Sequence, residues 1–234
     1  MHKEELCFHL FQKPRVAIPT DEGSVTFLDR RHHQTFHSTY GPIEESQIVF
    51  VKNGFLFYCE QNPLTREVHI LEMGFGTGLN ALLTAEAATE RGIKVFYTTY
   101  ERYPLHKHEY NLLHFPGTDA HLLETLHTLP WNIPCEVTPS FCIEKRKGDF
   151  RKAHFDREQY EVVYYDAFSP DEIPELWDAK TLSKVACVQP EGGLFVTYTV
   201  KGTLRRTLHA IGYEVERLAG TRGKRQVLRA VRYI

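Results

Sequence analysis

The 234-residue sequence has no apolar stretch that approaches a membrane span, and Met1–Phe11 lacks the basic start, apolar core and small-residue cleavage site of a secretory leader. Both absences point to a cytosolic protein. Its five cysteines, Cys7, Cys59, Cys135, Cys142 and Cys187, are odd in number, scattered and nowhere spaced Cys-x-x-Cys. That spacing supports neither a disulfide framework nor a zinc site, and leaves them as reduced bystanders. No compositional linker follows residue 63, so the chain reads as one domain with an elaboration, long enough to bury a substantial core.

One further absence is a glycine. Val68–Met73 is an apolar run closed by Glu72 and Met73, followed by Gly74, Gly76 and Gly78 and an amphipathic stretch from Leu79 to Arg91. This pattern predicts a buried strand, a tight turn and a helix. A dinucleotide fingerprint would put its third glycine one place later, where Leu79 stands. The spacing favours the related turn of S-adenosylmethionine (SAM) enzymes, whose ligand has no pyrophosphate and which keep an acidic residue at the place of Glu72. A purely structural strand-to-helix turn also recruits glycine, so the rest of the chain has to decide.

Before that turn, residues 1–63 carry short β-type runs, Ser24–Leu28 and Ile48–Val51, with Asn53-Gly54 as a hairpin signal before Phe55–Tyr58. They predict a small β-rich extension. His32, His33 and His37 lie in it without a carboxylate or cysteine that completes a recognisable metal site. After the turn, strand and helix alternate. Strand Lys94–Tyr100 ends in Glu101-Arg102, and Leu112–Leu129 is helical but broken at Pro116-Gly117. Residues 131–139 read as a loop, and strand Phe141–Glu144 leads to Gly148-Asp149-Phe150. Strand Glu161–Tyr165 ends in Asp166-Ala167-Phe168-Ser169-Pro170, and a helix follows from Pro174 to Val185. Strand Leu194–Thr199, helix Thr203–Ala210 and the strand pair Tyr213–Leu218 and Gln226–Val231 close the chain. The predicted fold is α/β, a Rossmann-like, mostly parallel seven-stranded sheet of the class I SAM-dependent methyltransferase type, occupying residues 64–234.

In such a sheet the ligand crevice lies beyond the C-terminal strand ends. Glu101, Asp149 and Asp166 all fall there, an arrangement poorly suited to phosphate and well suited to ribose hydroxyls, an adenine amino group and a cationic sulfonium or amine. Glu101 is the candidate ribose ligand. Asp149 either accepts the adenine amino group, with Phe150 packing on the base, or caps a helix over Phe150–Phe155. Asp166 and the aromatic Phe168 suit an amine acceptor, whose lone pair a carboxylate can aim; a plain Asx or Ser-Pro turn is the alternative. The net charge of −2 hides a basic C-terminal segment. Nine Lys and Arg residues from Lys201 to Arg232 face only Glu214 and Glu216. That suits a localised contact with a polyanion or a solvated face.

Glu72–Asn80, Glu101–Leu105, Gly148-Asp149, Asp166–Pro170 with Pro174–Trp177, Gly41–Ser46 and Gly223–Arg225 resemble the tRNA 5-methylaminomethyl-2-thiouridine methyltransferases, named MnmD when free-standing and otherwise the methyltransferase half of MnmC. The resemblance covers the chain from about Val25 and implies methyl transfer from SAM to the aminomethyl nitrogen of a wobble uridine in tRNA. It implies that Gly74, Gly76, Gly78 and Asn80 line the methionine and ribose and Glu101 the ribose, with Glu72, Phe75, Thr77 and Arg102 also among the cofactor-binding residues. Asp149 and Phe150 would hold the adenine. Asp166, as the catalytic residue, would meet the acceptor amine with Phe168 and Pro170, while Lys201, Lys224 and Arg225 hold the tRNA near its anticodon. Ile173, Ala167 and Ser169 depart from the family pattern and alter the detailed acceptor contacts. The chain ends without room for the FAD-dependent oxidase half, so a free-standing methyltransferase is expected, with no metal or membrane involved. A separate FAD-dependent or other enzyme would supply the aminomethyl substrate. The same acidic cleft would also serve a methyl- or aminopropyltransferase acting on a small amine; a non-enzymatic binding module would ordinarily lack Asp166.

Overall fold

The computed structural model describes residues 14–155 and 160–233. The reading of Met1–Phe11 and Cys7 lies outside them. A large sheet runs through the molecule in the order β10-β11-β9-β8-β4-β5-β7-β6. Its strands are β4 (Glu67–Met73), β5 (Lys94–Glu101), β6 (Pro134–Thr138), β7 (Phe141–Lys147), β8 (Val162–Tyr165), β9 (Leu194–Thr197), β10 (Tyr213–Ala219) and β11 (Gln226–Arg232). Neighbours from β7 through β5, β4 and β8 to β9 are parallel. The closing β10–β11 pair adds antiparallel to β9. Strand order reverses at β4: the chain moves outward through β5 to β7 and returns to β8 on the other side of β4. The crevice of an open α/β sheet lies at such a reversal, which is where the glycine turn leaves β4.

The sheet has one strand more than the seven predicted. β6 pairs antiparallel with β7 at the outer edge, with a register shift between Glu136 and Thr138. An edge place explains why the stretch looked like a loop: Pro134, which cannot donate to a ladder, is tolerated at the first residue of an edge strand.

The predicted hairpin around Asn53-Gly54 is absent. Residues 42–61 form one continuous helix, α1, built from Pro42–Ser46, a widely wound centre Gln47–Leu56, and Phe57–Gln61. Buried positions fall at 42, 45–46, 49–51 and 54–55, a recurrence of about four to five residues that fits a wide helical turn and not the alternation of a strand. Gly54 is a point of close approach. A Cβ there would lie 2.9 Å from the Tyr164 ring and 3.1 and 3.2 Å from Val196 and Val162 of the sheet. The apolar run that imitated a strand is the face of α1 that packs on β8 and β9.

Residues of the first segment also form a three-stranded antiparallel sheet, β1 (Arg15–Pro19), β2 (Val25–Asp29) and β3 (Gln34–Thr35). Helix α2 (Leu79–Arg91) follows the glycine turn and ends at Gly92, which takes the left-handed conformation usual past a helix end. The helix read over Leu112–Leu129 begins only at Ala120, where the Asp119 side chain accepts from the Leu122 N–H. The one read from Pro174 is a single tight turn, Pro174–Leu176, followed by a new helix, Ala179–Val188, capped by Asp178. In both places a side-chain cap restarts the helix after a break. No helix among the described residues is long and apolar enough to cross a membrane.

The contact at Gly54 yields a test. Alanine improves helix propensity by about 1 kcal/mol over glycine, whereas overpacking a filled core costs about 1–3 kcal/mol. Gly54→Ala should therefore lower the midpoint of urea unfolding. A raised midpoint would mean that α1 does not pack against β8 and β9 as described.

Candidate active site

Beyond the C-terminal ends of β4, β5, β7 and β8 lies a cavity of about 700 Å³, within the size range of small-molecule and cofactor clefts. The glycine turn forms one wall. Gly74, Gly76 and Gly78 have φ of +99°, +51° and +76°, a region other residues enter at a cost. The absent side chains also matter: a Cβ on Gly74 would stand 2.8 Å from the Asp166 carbonyl oxygen, and one on Gly76 would stand 3.0 Å from the Phe36 ring. Only glycine at 74 lets the ends of β4 and β8 come together. The turn is tied to β5, because the Tyr100 carbonyl accepts from the N–H groups of Gly74 (3.0 Å) and Phe75 (3.3 Å). Two histidines clamp Thr77: His37 Nε2 lies 2.6 Å from its hydroxyl, and His127 Nε2 donates to its carbonyl at 2.9 Å. Burial lowers both imidazoles to a pKa of about 4, so they are neutral at physiological pH.

At the centre stands a column of two carboxyls joined by one amide. Asn80 Nδ2 donates to Glu72 Oε1 at 3.1 Å and to Asp166 Oδ2 at 2.8 Å, and Thr99 Oγ1 donates to Glu72 Oε2 at 2.7 Å. Glu72 is 1% exposed, whereas Asp166 opens partly to the cavity. Burial is the main reason that the Glu72 carboxyl is pushed up to a pKa of about 8, with the charge of Asp166 adding to it. Burial likewise raises Asp166 to about 7, assisted by the nearby charge of Glu45 and opposed by the Asn80 hydrogen bond and Lys224. Among the described residues no cation lies within ion-pair distance of Asp166.

Glu101 turns back toward the glycine turn. Its Oε2 accepts from the Gly76 N–H at 3.1 Å and its Oε1 from the Tyr103 N–H at 2.7 Å. Asp149 does what its capping alternative required, accepting from the Arg151 N–H at 3.0 Å at the head of the short turn Phe150–Lys152. The Arg151 guanidinium also grips it, at 2.6 Å, and holds its carboxyl below the usual range. Phe150 is buried edge-on against Tyr100, with 5.4 Å between ring centroids. Phe168 lies between His32 and Phe36, at 4.9 and 5.4 Å. Its backbone is pinned by Trp177 Nε1, which donates to the Phe168 carbonyl at 2.8 Å.

The cavity lining includes Gly74, Phe75, Gly76, Thr77, Asn80, Glu101, Arg102, Asp149, Phe150, Asp166, Phe168 and Lys224. Glu72 and Gly78 support that wall from behind, and Pro170 is not in the lining. Lys201 and Arg225 border a separate, open groove of about 370 Å³ that shares Lys224 and Tyr198 with the cavity. Lys224 turns inward to pair with Glu45, and Lys201 pairs with Asp171. Sequence reasoning missed the wall supplied by the first segment, above all Gln34, Phe36, His37 and Glu45, and also missed Tyr198. Gly41–Ser46 carried part of the family resemblance, and a motif of that kind outside the glycine turn was the available signal for Glu45. His32 and His37, weighed as metal ligands, line the cavity instead, one against Phe168 and one on Thr77; no cluster of three potential metal ligands occurs among the described residues.

A family model described as S-adenosyl-L-methionine-dependent methyltransferase matches residues 143–233, from β7 to the end of β11. The chain as a whole is similar to proteins of this description. It is 25% identical to the tRNA 5-methylaminomethyl-2-thiouridine biosynthesis bifunctional protein MnmC of Actinobacillus pleuropneumoniae, an alignment covering 87% of this chain and 33% of that protein. To the protein of the same name from Aromatoleum aromaticum it is 28% identical, covering 91% and 36%. The chain thus spans about a third of the length of the curated relatives it matches. The crystal structure of MNMC2 from Aquifex aeolicus superposes with a TM-score of 0.81 over 99% of this chain and 78% of that one, at 24% identity, and shares its fold.

The description of that family model names S-adenosyl-L-methionine, and the cavity lining fits this cofactor. The glycine wall lets a ligand approach the backbone where a Cβ would intrude, acidic side chains line the cavity where hydroxyl and cationic groups would lie, and Asn80 Oδ1 is a buried acceptor without a partner among the described residues.

The raised carboxyls make stability depend on pH in a defined direction. In the ligand-free fold Glu72 and Asp166 keep protons that the unfolded chain releases near pH 4, so stability falls as pH rises toward about 8. His37 and His127 act oppositely, losing stability as pH drops from 6.5 toward about 4. Above pH 6.5 only the carboxyl contribution remains among these four. Urea unfolding from about pH 6.5 to 8.5 should show a declining parent and a shallower decline for Glu72→Gln. Parallel curves would mean that Glu72 is ionised in the fold.

Proposed function

We propose that the chain transfers the methyl group of SAM to the aminomethyl nitrogen on C5 of a wobble uridine or 2-thiouridine in tRNA, giving the 5-methylaminomethyl form. The observation that carries this reading is Asp166: a carboxyl on the cavity wall, free of cationic partners among the described residues, fixed by Asn80 and raised by its surroundings to about 7. A carboxyl so poised can take a proton from an ammonium group and leave the nitrogen lone pair free, the requirement that an amine acceptor imposes near neutral pH. The likeness to the curated MnmC proteins, whose name refers to tRNA 5-methylaminomethyl-2-thiouridine biosynthesis, supports this choice of acceptor.

The residues divide the work by position. Glu101, anchored on the N–H of Gly76, is suited to the ribose hydroxyls, and Asp149 and Phe150 to the adenine edge and face. Bound SAM supplies an activated methyl group that needs no further activation by the protein. The chain's own task is to hold the acceptor in line and keep water out. Phe168, wedged between His32 and Phe36, covers the acceptor side with apolar surface beside Asp166. The open groove beside Lys201 and Arg225 provides cationic side chains for the RNA backbone, and a splayed-out wobble base would pass from there into the cavity. In this reading the aminomethyl group reaches the tRNA through a separate modification enzyme.

Asp166→Asn nearly preserves shape, removes the proton acceptor and presents an amide. Turnover on tRNA bearing 5-aminomethyluridine should fall by about a hundredfold, the scale of a positioned acid–base group, while SAM affinity changes less. Mass analysis of tRNA nucleosides after incubation with SAM reads the product directly. A variant with parental turnover would reduce Asp166-Ala-Phe-Ser-Pro170 to a turn. Methylation of free small amines in preference to the tRNA would move the reading to a small-amine transferase.

A further inference from the structure

The ammonium of Lys224 sits in an unusual place for a residue of a basic surface segment. It pairs with Glu45, which is 4% exposed and whose second oxygen accepts from the Ser38 N–H at 2.8 Å. It also lies 4.1 Å from the centroid of the Tyr198 ring. A buried carboxylate beside an aromatic face is a receptor for an ammonium ion. This receptor adjoins the acceptor loop directly, because Tyr198 Oη donates to the carbonyl of Ala167, the residue after Asp166, at 2.8 Å. Glu45 and Lys224 are near enough to Asp166 for their charges to act on it in opposite directions.

The lysine is carried on a short loop closed by its own backbone hydrogen bonds. Residues 220–225 connect β10 and β11 and close on themselves, the Gly220 N–H bonding to the Arg225 carbonyl (3.1 Å) and the Lys224 N–H to the Thr221 carbonyl (3.0 Å). Across the cavity mouth the loop meets the first segment through Lys224 on Glu45 and through Gly223, whose Cα packs on the exposed Tyr40 ring. Neither contact involves a backbone hydrogen bond. Lifting the loop would leave Glu45 buried with no cation among the described residues, unless another cation took the place.

We infer that Lys224 is a stand-in for the substrate: its ammonium fills a cation subsite formed by Glu45 and Tyr198, and the protonated aminomethyl group of the incoming nucleotide displaces it. The inference rests on the proposed function and deepens it. Glu45 becomes a specificity-determining residue that selects a cationic substituent on the base. Asp166, next along the cavity, takes the proton from that group: an ammonium and a carboxylate become an amine and a carboxylic acid. In the absence of substrate the lysine keeps Glu45 compensated and the mouth closed.

The test compares two anticodon stem-loop RNAs, identical except for 5-aminomethyluridine or uridine at the wobble position, binding to the S-adenosylhomocysteine-loaded protein at one salt concentration. The ratio of the two affinities cancels phosphate contacts common to both RNAs. Lys224→Met should raise the ratio by about tenfold, since the competing cation is gone. Glu45→Gln, which retains an acceptor for the Ser38 N–H, should bring the ratio to parity. The double variant, which buries no unpaired charge, should also give parity with S-adenosylhomocysteine affinity intact, and it decides the matter if Glu45→Gln alone fails to fold. A ratio unchanged or lowered in Lys224→Met overturns the stand-in role. If that same parent protein methylates the aminomethyl RNA, the proposed function survives. A parent that neither prefers nor methylates that RNA overturns both.

Discussion

Two carboxyl groups and one amide govern this molecule. Glu72 is the next-to-last residue of β4 and Asp166 follows β8, and the Asn80 side chain from the first turn of α2 donates to both. Bringing two carboxyls so deep into a protein is unfavourable unless charge is removed or compensated. Here the first response is protonation, since both are raised well above the carboxylate range. The neighbouring structure serves this arrangement. Gly74 lets the two strand ends meet, the histidine clamp on Thr77 fixes the turn, and β5 contributes both Thr99 to Glu72 and the Tyr100 carbonyl to the turn.

The same constraint explains how cations are distributed around the cavity. Asp149 is gripped by Arg151, and Glu45 by Lys224, while Asp166 has no cationic partner within reach among the described residues. An unpaired, partly open carboxyl at the crossover of an α/β sheet is stable as an acid and useful as a base. In the proposed function, this cost of folding serves to receive a positively charged group.

The central strands, the glycine turn and the acidic strand ends were legible in the sequence because each rests on local chemistry: apolar runs, positive-φ glycines and residues at fixed places after a strand. What failed was reading meaning into an ambiguous local signal. Asn53-Gly54 has hairpin chemistry, yet Gly54 lies in a helix because Tyr164, Val162 and Val196, more than a hundred residues away, leave no room for a side chain. Residues 131–139 read as a loop, and it is the edge position of β6 that makes Pro134 acceptable in a strand. Lys224 was assigned to a surface from charge density, but its partner Glu45 is 179 residues distant and buried. Glu45 itself stands in a motif that sequence alone could match but not place, since a cavity wall assembled from the first segment depends on tertiary packing.

If the carboxyl column is held protonated until a cation arrives, binding the cationic SAM must expel protons that binding the uncharged thioether S-adenosylhomocysteine does not. Calorimetric titration of both ligands near pH 7, in buffers of differing ionisation enthalpy, measures this difference. SAM should release more protons than S-adenosylhomocysteine, and the difference between the ligands should shrink in Asp166→Asn. Equal proton exchange for the two ligands in the parent protein would contradict a column held protonated.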